Sequence, residues 1–103
     1  YNFPYFEKEA AEFLVGQCER AGVKLNLVGL DSFSVDPKGT PDSPAHQVFL
    51  SRDILILETL VNLEEIAQAF GDGSFELICA PVLYKGADGA QVRAFARAWQ
   101  GGG

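Results

Sequence analysis

Residues 43 to 58, SPAHQVFLSRDILILE, set a helix directly before a strand. Ser43 stands where an N-cap belongs, and Pro44 takes the first helical position, where its missing N–H costs nothing. A short helix is expected through Phe49 and Leu50. Asp53 to Glu58 then reads as a buried strand, from its length and its isoleucines. Capping and periodicity leave two residues unexplained. They are His46, the one histidine of the chain, and Glu58, which closes a run of four aliphatic residues. A carboxylate beside such a run is costly unless something pairs with it.

Upstream, residues 4 to 21 read as an amphipathic helix. Phe6, Ala10, Phe13, Leu14, Cys18 and Ala21 fall on one face at helical spacing. Pro4 suits the first turn, and Gly22 sits where a C-terminal glycine cap belongs. Val23 to Leu30 suggests a strand. Residues 31 to 44, DSFSVDPKGTPDSP, are too long for a tight turn, and ordered loops of this length often carry function.

Downstream, Asn62 to Phe70 restarts a helix, with Asn62 as cap and Glu65 at capping-box spacing. Phe75 to Leu83 is a strand in which Pro81 implies an edge or a bulge. Gln91 to Trp99 alternates apolar and polar as a final strand. The stretch between them carries Asp88-Gly89, which supplies a turn with positive φ. The order is helix, strand, short helix, strand, short helix, hairpin. It implies an α/β layered arrangement whose last two strands are antiparallel.

The chain has 103 residues, 48% hydrophobic, which suits one domain with a real core. Its net charge is -6 with no basic patch, so a nucleic-acid footprint is missing. No apolar run approaches the roughly 18 residues of a membrane span, and no signal-peptide pattern opens the chain. Cys18 and Cys79 match no metal or redox spacing, so each reads as a small buried apolar residue, which favours a reducing compartment. The chain lacks methionine even at position 1, so the expectation is a fragment or a processed product. Residues 101 to 103, all glycine, read as a flexible tail after a single domain over residues 1 to 100.

Imidazole and carboxylate are standard ligands for zinc and related divalent ions. Spacing alone leaves the matter open, because a surface histidine and a strand-end glutamate in water also fit twelve residues apart. Asp31, Ser32, Ser34 and Asp36 either line a pocket mouth or bond their own turn backbone. No Gly-x-Ser-x-Gly elbow supports a nucleophilic serine, and Lys85 to Gly89 is no phosphate loop.

VGLDSFSVD (28–36), SPAHQVFLSRDILILETLVNL (43–63) and FELICAPVLYKGADGAQVRAF (75–95), with the helix before them and the spacing between them, carry a resemblance. Together they resemble the C-terminal half of the cyclase-like metal-dependent hydrolases, the family of bacterial kynurenine formamidase and isatin hydrolase. The resemblance implies a layered β/β/α arrangement of the swivelling-domain type, of which this chain would be a fragment. It implies that His46 and Glu58 are metal ligands, with zinc or manganese as cofactor. Asp31, Ser34 and Asp36 match the loop beside the active site, without individual roles.

In that family the other ligands lie in an earlier motif, His-x-Gly-Thr-His-x-Asp-x-Pro-x-His, which is absent here. Thr59 also departs, standing where asparagine is common. The implied activity of the intact protein is metal-assisted hydrolysis of an amide, formamide or cyclic amide, in a cytoplasmic homo-oligomer acting on a small molecule. No nucleic acid, no membrane and no catalytic residue in this chain are expected, and the chain alone should be inactive. The competing expectation is a non-catalytic, pseudoenzyme-like or interaction module that keeps the fold.

Overall fold

A computed structural model describes residues 3–71 and 73–99, so the glycine tail at 101–103 lies outside the described residues. The described residues fall into two compact units that divide between Val61 and Asn62. The first holds α1 (Lys8–Arg20), β1 (Leu27–Gly29), α2 (Pro44–Leu50) and β2 (Leu55–Leu57). The second holds α3 (Leu63–Phe70), β3 (Phe75–Pro81) and β4 (Val92–Ala98). Element order is as the sequence implies, and both units are small α/β or α-plus-hairpin pieces with two-stranded sheets.

Helix α1 begins at Lys8 rather than Pro4. The preceding segment is held extended by long-range bonds: the Ser32 hydroxyl donates to the Pro4 carbonyl at 2.6 Å, and the Phe6 N–H to Val35 at 2.7 Å. The buried face is also rotated from the expected one. Ala11 and Val15 are buried with Leu14 packed beside them, whereas Ala10 and Phe13 face out. The C-terminus ends as expected on Gly22, at φ 69°. Val23 N–H bonds Cys18 O and Gly22 N–H bonds Glu19 O, the paired bonds of a Schellman cap. That cap occupies Val23, which is why the strand starts only at Leu27.

Strands β1 and β2 are parallel, Leu27 opposite Leu55 and Gly29 opposite Leu57. The pairing runs past the strand ends, because Leu30 N–H bonds Leu57 O, Leu60 N–H bonds Leu30 O, and Thr59 N–H bonds Ser32 O. A parallel pair needs a crossover, and residues 30–43 with α2 provide it. The core gathers under this crossover from Ala11, Val15, Val28, Val35, Phe49 and Ile54. Cys18 and Cys79 are unpaired and only half-buried, less enclosed than expected.

In the second unit, the expected N-cap of α3 does not form. Asn62 takes φ 64° and makes no side-chain cap bond. Strands β3 and β4 are antiparallel with Leu77 opposite Ala96, and Phe70 of α3 stacks on Phe75 with ring centroids 5.3 Å apart. Glu76 faces Arg97, which donates two hydrogen bonds to it at 3.2 and 3.0 Å. Pro81 ends β3, where no ladder donor is needed. The positive-φ turn residue is Gly86, at 76°, not Gly89, because the turn closes from Ala87 N–H to Tyr84 O. Among the described residues, no helix is long and apolar enough to cross a membrane.

Thr59, directly after β2, has φ 58°. Asp53 and Asn62 also lie in this region, but theirs are side-chain types that tolerate it, whereas a β-branched residue there is strained. Thr59→Asn is expected to stabilise the protein by about 1 kcal/mol, read as a raised urea midpoint at unchanged slope. An unchanged or lowered midpoint would contradict the strain.

Candidate metal centre

The first turn of α2 explains how the site is assembled. Pro44 has no N–H to satisfy, but Ala45 and His46 each leave one unpaired at the helix start. The expected cap, Ser43, lies at φ 41° and makes no side-chain bond. Asp36 takes its place from the loop: Oδ1 accepts from Ala45 N at 2.8 Å, and Oδ2 from His46 N at 2.9 Å. The Asp36 N–H in turn donates to Ser34 Oγ at 3.1 Å.

The same Asp36 Oδ2 lies 2.8 Å from Nδ1 of the His46 ring. The other ring nitrogen, Nε2, is 3.5 Å from Oε2 of Glu58. Glu58 is set by backbone on both sides, since Leu57 and Thr59 bond to Leu30 and Ser32 of the same loop. His46 and Glu58, twelve apart in sequence, are therefore brought face to face by the loop between β1 and α2. Oε2 of Glu58 is buried and has no hydrogen-bond partner, the one such side-chain atom among the described residues.

Asp36 is 4% exposed. Burial pushes its carboxyl up, but the hydrogen bonds from the His46 backbone, the Ala45 backbone and the His46 ring outweigh this and hold it below its ordinary value. A lowered folded-state value means that Asp36 contributes stability fully above the ordinary carboxylate range, near 4, and loses it as pH falls through the lowered value. The stability gap between wild type and Asp36→Asn should therefore be full at pH 6 and shrink towards pH 2 in thermal melts. A gap independent of pH would contradict this.

The other two loop residues part company. Ser34 and Asp36 border a cleft of about 540 Å³ shared with Phe3, Phe33, Lys38 and Ser43. Asp31 is exposed and does not border that cleft, nor do His46 and Glu58. The reach of Asp36 to the start of α2 had no signal in the sequence, because the capping residue lies nine positions before His46's own N-terminal neighbour. Thr59 did carry one, since the resemblance places asparagine there.

The donor set fits a divalent ion. Nε2 and Oε2 are unlike atoms of the kinds zinc and manganese take, and neither is engaged by another protein group in a hydrogen bond. Two ligands about 2.0–2.1 Å from a tetrahedral ion stand roughly 3.3 Å apart, close to the spacing found here. Two donors do not complete a site, and no group of three or more His, Cys, Asp or Glu suited to a metal occurs among the described residues.

No family model matches the chain. Curated relatives do. The chain is 36% identical over 94 residues, 90% of its length, to kynurenine formamidase of Delftia acidovorans, of which that stretch is 43%. It is 39% identical over 71 residues to the Bordetella petrii kynurenine formamidase, covering 69% of the chain and 32% of the relative. The Bacillus anthracis kynurenine formamidase matches at 36% over 94 residues, 91% of the chain and 40% of the relative. The chain thus spans about two-fifths of the length of the longest-matching of these relatives.

Proposed function

Because this chain is a homologue of the kynurenine formamidases over nine-tenths of its length, we propose that it forms part of a metal-dependent hydrolase acting on an amide, formamide or cyclic amide. The observation that carries the reading is the His46–Glu58 pair, with Nε2 and a buried, unpartnered Oε2 facing each other at 3.5 Å. His46 and Glu58 would hold zinc or manganese, and further ligands would come from polypeptide outside this chain. When bound, the ion polarises a carbonyl oxygen and lowers the pKa of its water towards neutrality.

In this reading His46 supplies a neutral nitrogen donor and Glu58 a negative charge, and neither moves a proton. Loop 30–36 keeps both in register, through its backbone bonds to Leu57 and Thr59 and through the Asp36 carboxylate. The cleft beside Ser34 and Asp36 is the proposed approach for a small-molecule substrate. The short parallel pair β1–β2, with only three residues a strand, supports membership in a larger layered domain, because such pairs are rarely stable without further strands. A cytoplasmic homo-oligomer completes the proposal.

The test uses the whole polypeptide. Its metal content and its hydrolysis of a simple arylformamide are measured before and after chelation. Chelation is expected to remove at least about nine-tenths of the activity, with zinc or manganese restoring it. Full activity after metal removal would refute the reading.

A further inference from the structure

Asp36 touches no candidate ligand atom, yet more of its hydrogen-bonding capacity is spent on His46 than on any other residue. An ionised carboxylate only accepts hydrogen bonds. It is buried and already accepts two backbone N–H bonds, one on each oxygen. Nδ1, 2.8 Å from Oδ2, can then bond to it only as a donor. In a neutral imidazole the proton on Nδ1 leaves Nε2 bare. Nε2 faces Glu58 Oε2 at 3.5 Å without a hydrogen bond, as expected when two acceptors oppose one another.

We propose that Asp36 is a positioning residue, whose carboxylate fixes the His46 ring in the Nδ1–H form and turns the Nε2 lone pair towards Glu58. Its purpose rests on the metal reading above, but the tautomer is a property of the metal-free chain. One carboxylate thereby performs two tasks, since the bonds that cap α2 also fix the backbone from which the ring projects. Asp36→Asn is the discriminating change. The amide still offers one oxygen to the helix N-terminus, but it presents an N–H to Nδ1, which favours the proton on Nε2.

The experiment is nitrogen-15 NMR of the His46 ring at about pH 8.5, above the ordinary imidazole range, without metal. As the one histidine, it needs no assignment. Wild type is expected to show the Nδ1–H form and Asp36→Asn to shift the population to Nε2–H. Zinc titrated into the whole polypeptide and its Asp36→Asn variant should bind the variant about 10–100-fold more weakly. An Nε2–H wild type would overturn the proposal even if Asp36→Asn failed to fold. So would a folded variant with unchanged tautomer. The Nδ1–H form, together with a whole polypeptide that binds neither zinc nor manganese, would support the positioning role and remove the metal reading instead.

Discussion

In the whole polypeptide, His46→Ala is expected to lower arylformamide hydrolysis by roughly 100-fold or more, together with a loss of bound metal. The change deletes the nitrogen donor opposite Glu58 and leaves Oε2 buried with nothing to pair with. It should not unfold the protein. The helix cap is made by the backbone N–H groups of Ala45 and residue 46, which alanine keeps, and the ring is only partly buried. Glu58→Gln tests the other half, since it keeps the shape of the side chain and removes the charge. If the two act on one ion, the double variant should be little worse than the poorer single one. Fully multiplicative losses with normal metal content would mean that the residues serve separate purposes.

The second large effect is on stability. Phe49 is 0% exposed and meets Phe6 edge-on, ring centroids 5.6 Å apart. It sits at the end of α2, where its carbonyl also accepts from Arg52 and Ile54 as the chain turns into β2. Truncating such a side chain to alanine typically costs about 3–5 kcal/mol, through lost burial and the cavity left behind. Against a typical domain stability of about 5–15 kcal/mol, that loss threatens the fold itself. Phe13 is the matched control: it is 63% exposed, and Phe13→Ala is expected to change stability by less than about 0.5 kcal/mol. Urea melts of the two variants should therefore differ widely, and similar midpoints would contradict the burial of Phe49 against Phe6.

Those two phenylalanines show where sequence patterns carry far and where they stop. The order of all seven elements follows from turn residues and local periodicity, and Gly22 ends its helix as expected. The face of α1 does not follow, because hydrophobicity favours bulky Phe13 while packing selects the small Ala11 and Val15. Helix starts fared similarly. Pro4 lies in an extended segment tied to residues 32 and 35, and Ser43 yields its capping role to Asp36. Each of these outcomes is decided by a contact distant in sequence, which no local window contains.

The candidate site divides along the same line. His46 and Glu58 stood out as residues that capping and strand periodicity did not require, but only the loop that ties Leu57 and Thr59 to residues 30 and 32 sets them opposite each other. Asp36 was legible as a loop residue and no more. Its reach to two backbone donors and a ring nitrogen is a tertiary property. Asp31, read from the same loop, remains exposed without a contact that assigns it a role.

The central claim is that His46 and Glu58 bind one ion. Crystals of the whole polypeptide grown with manganese or zinc, with anomalous diffraction recorded at the metal edge, test it most directly. A single anomalous peak is predicted about 2.0–2.2 Å from both Nε2 of His46 and Oε2 of Glu58. A fully occupied metal peak bound elsewhere, with these two atoms bonded to neither it nor any other ion, would contradict the claim.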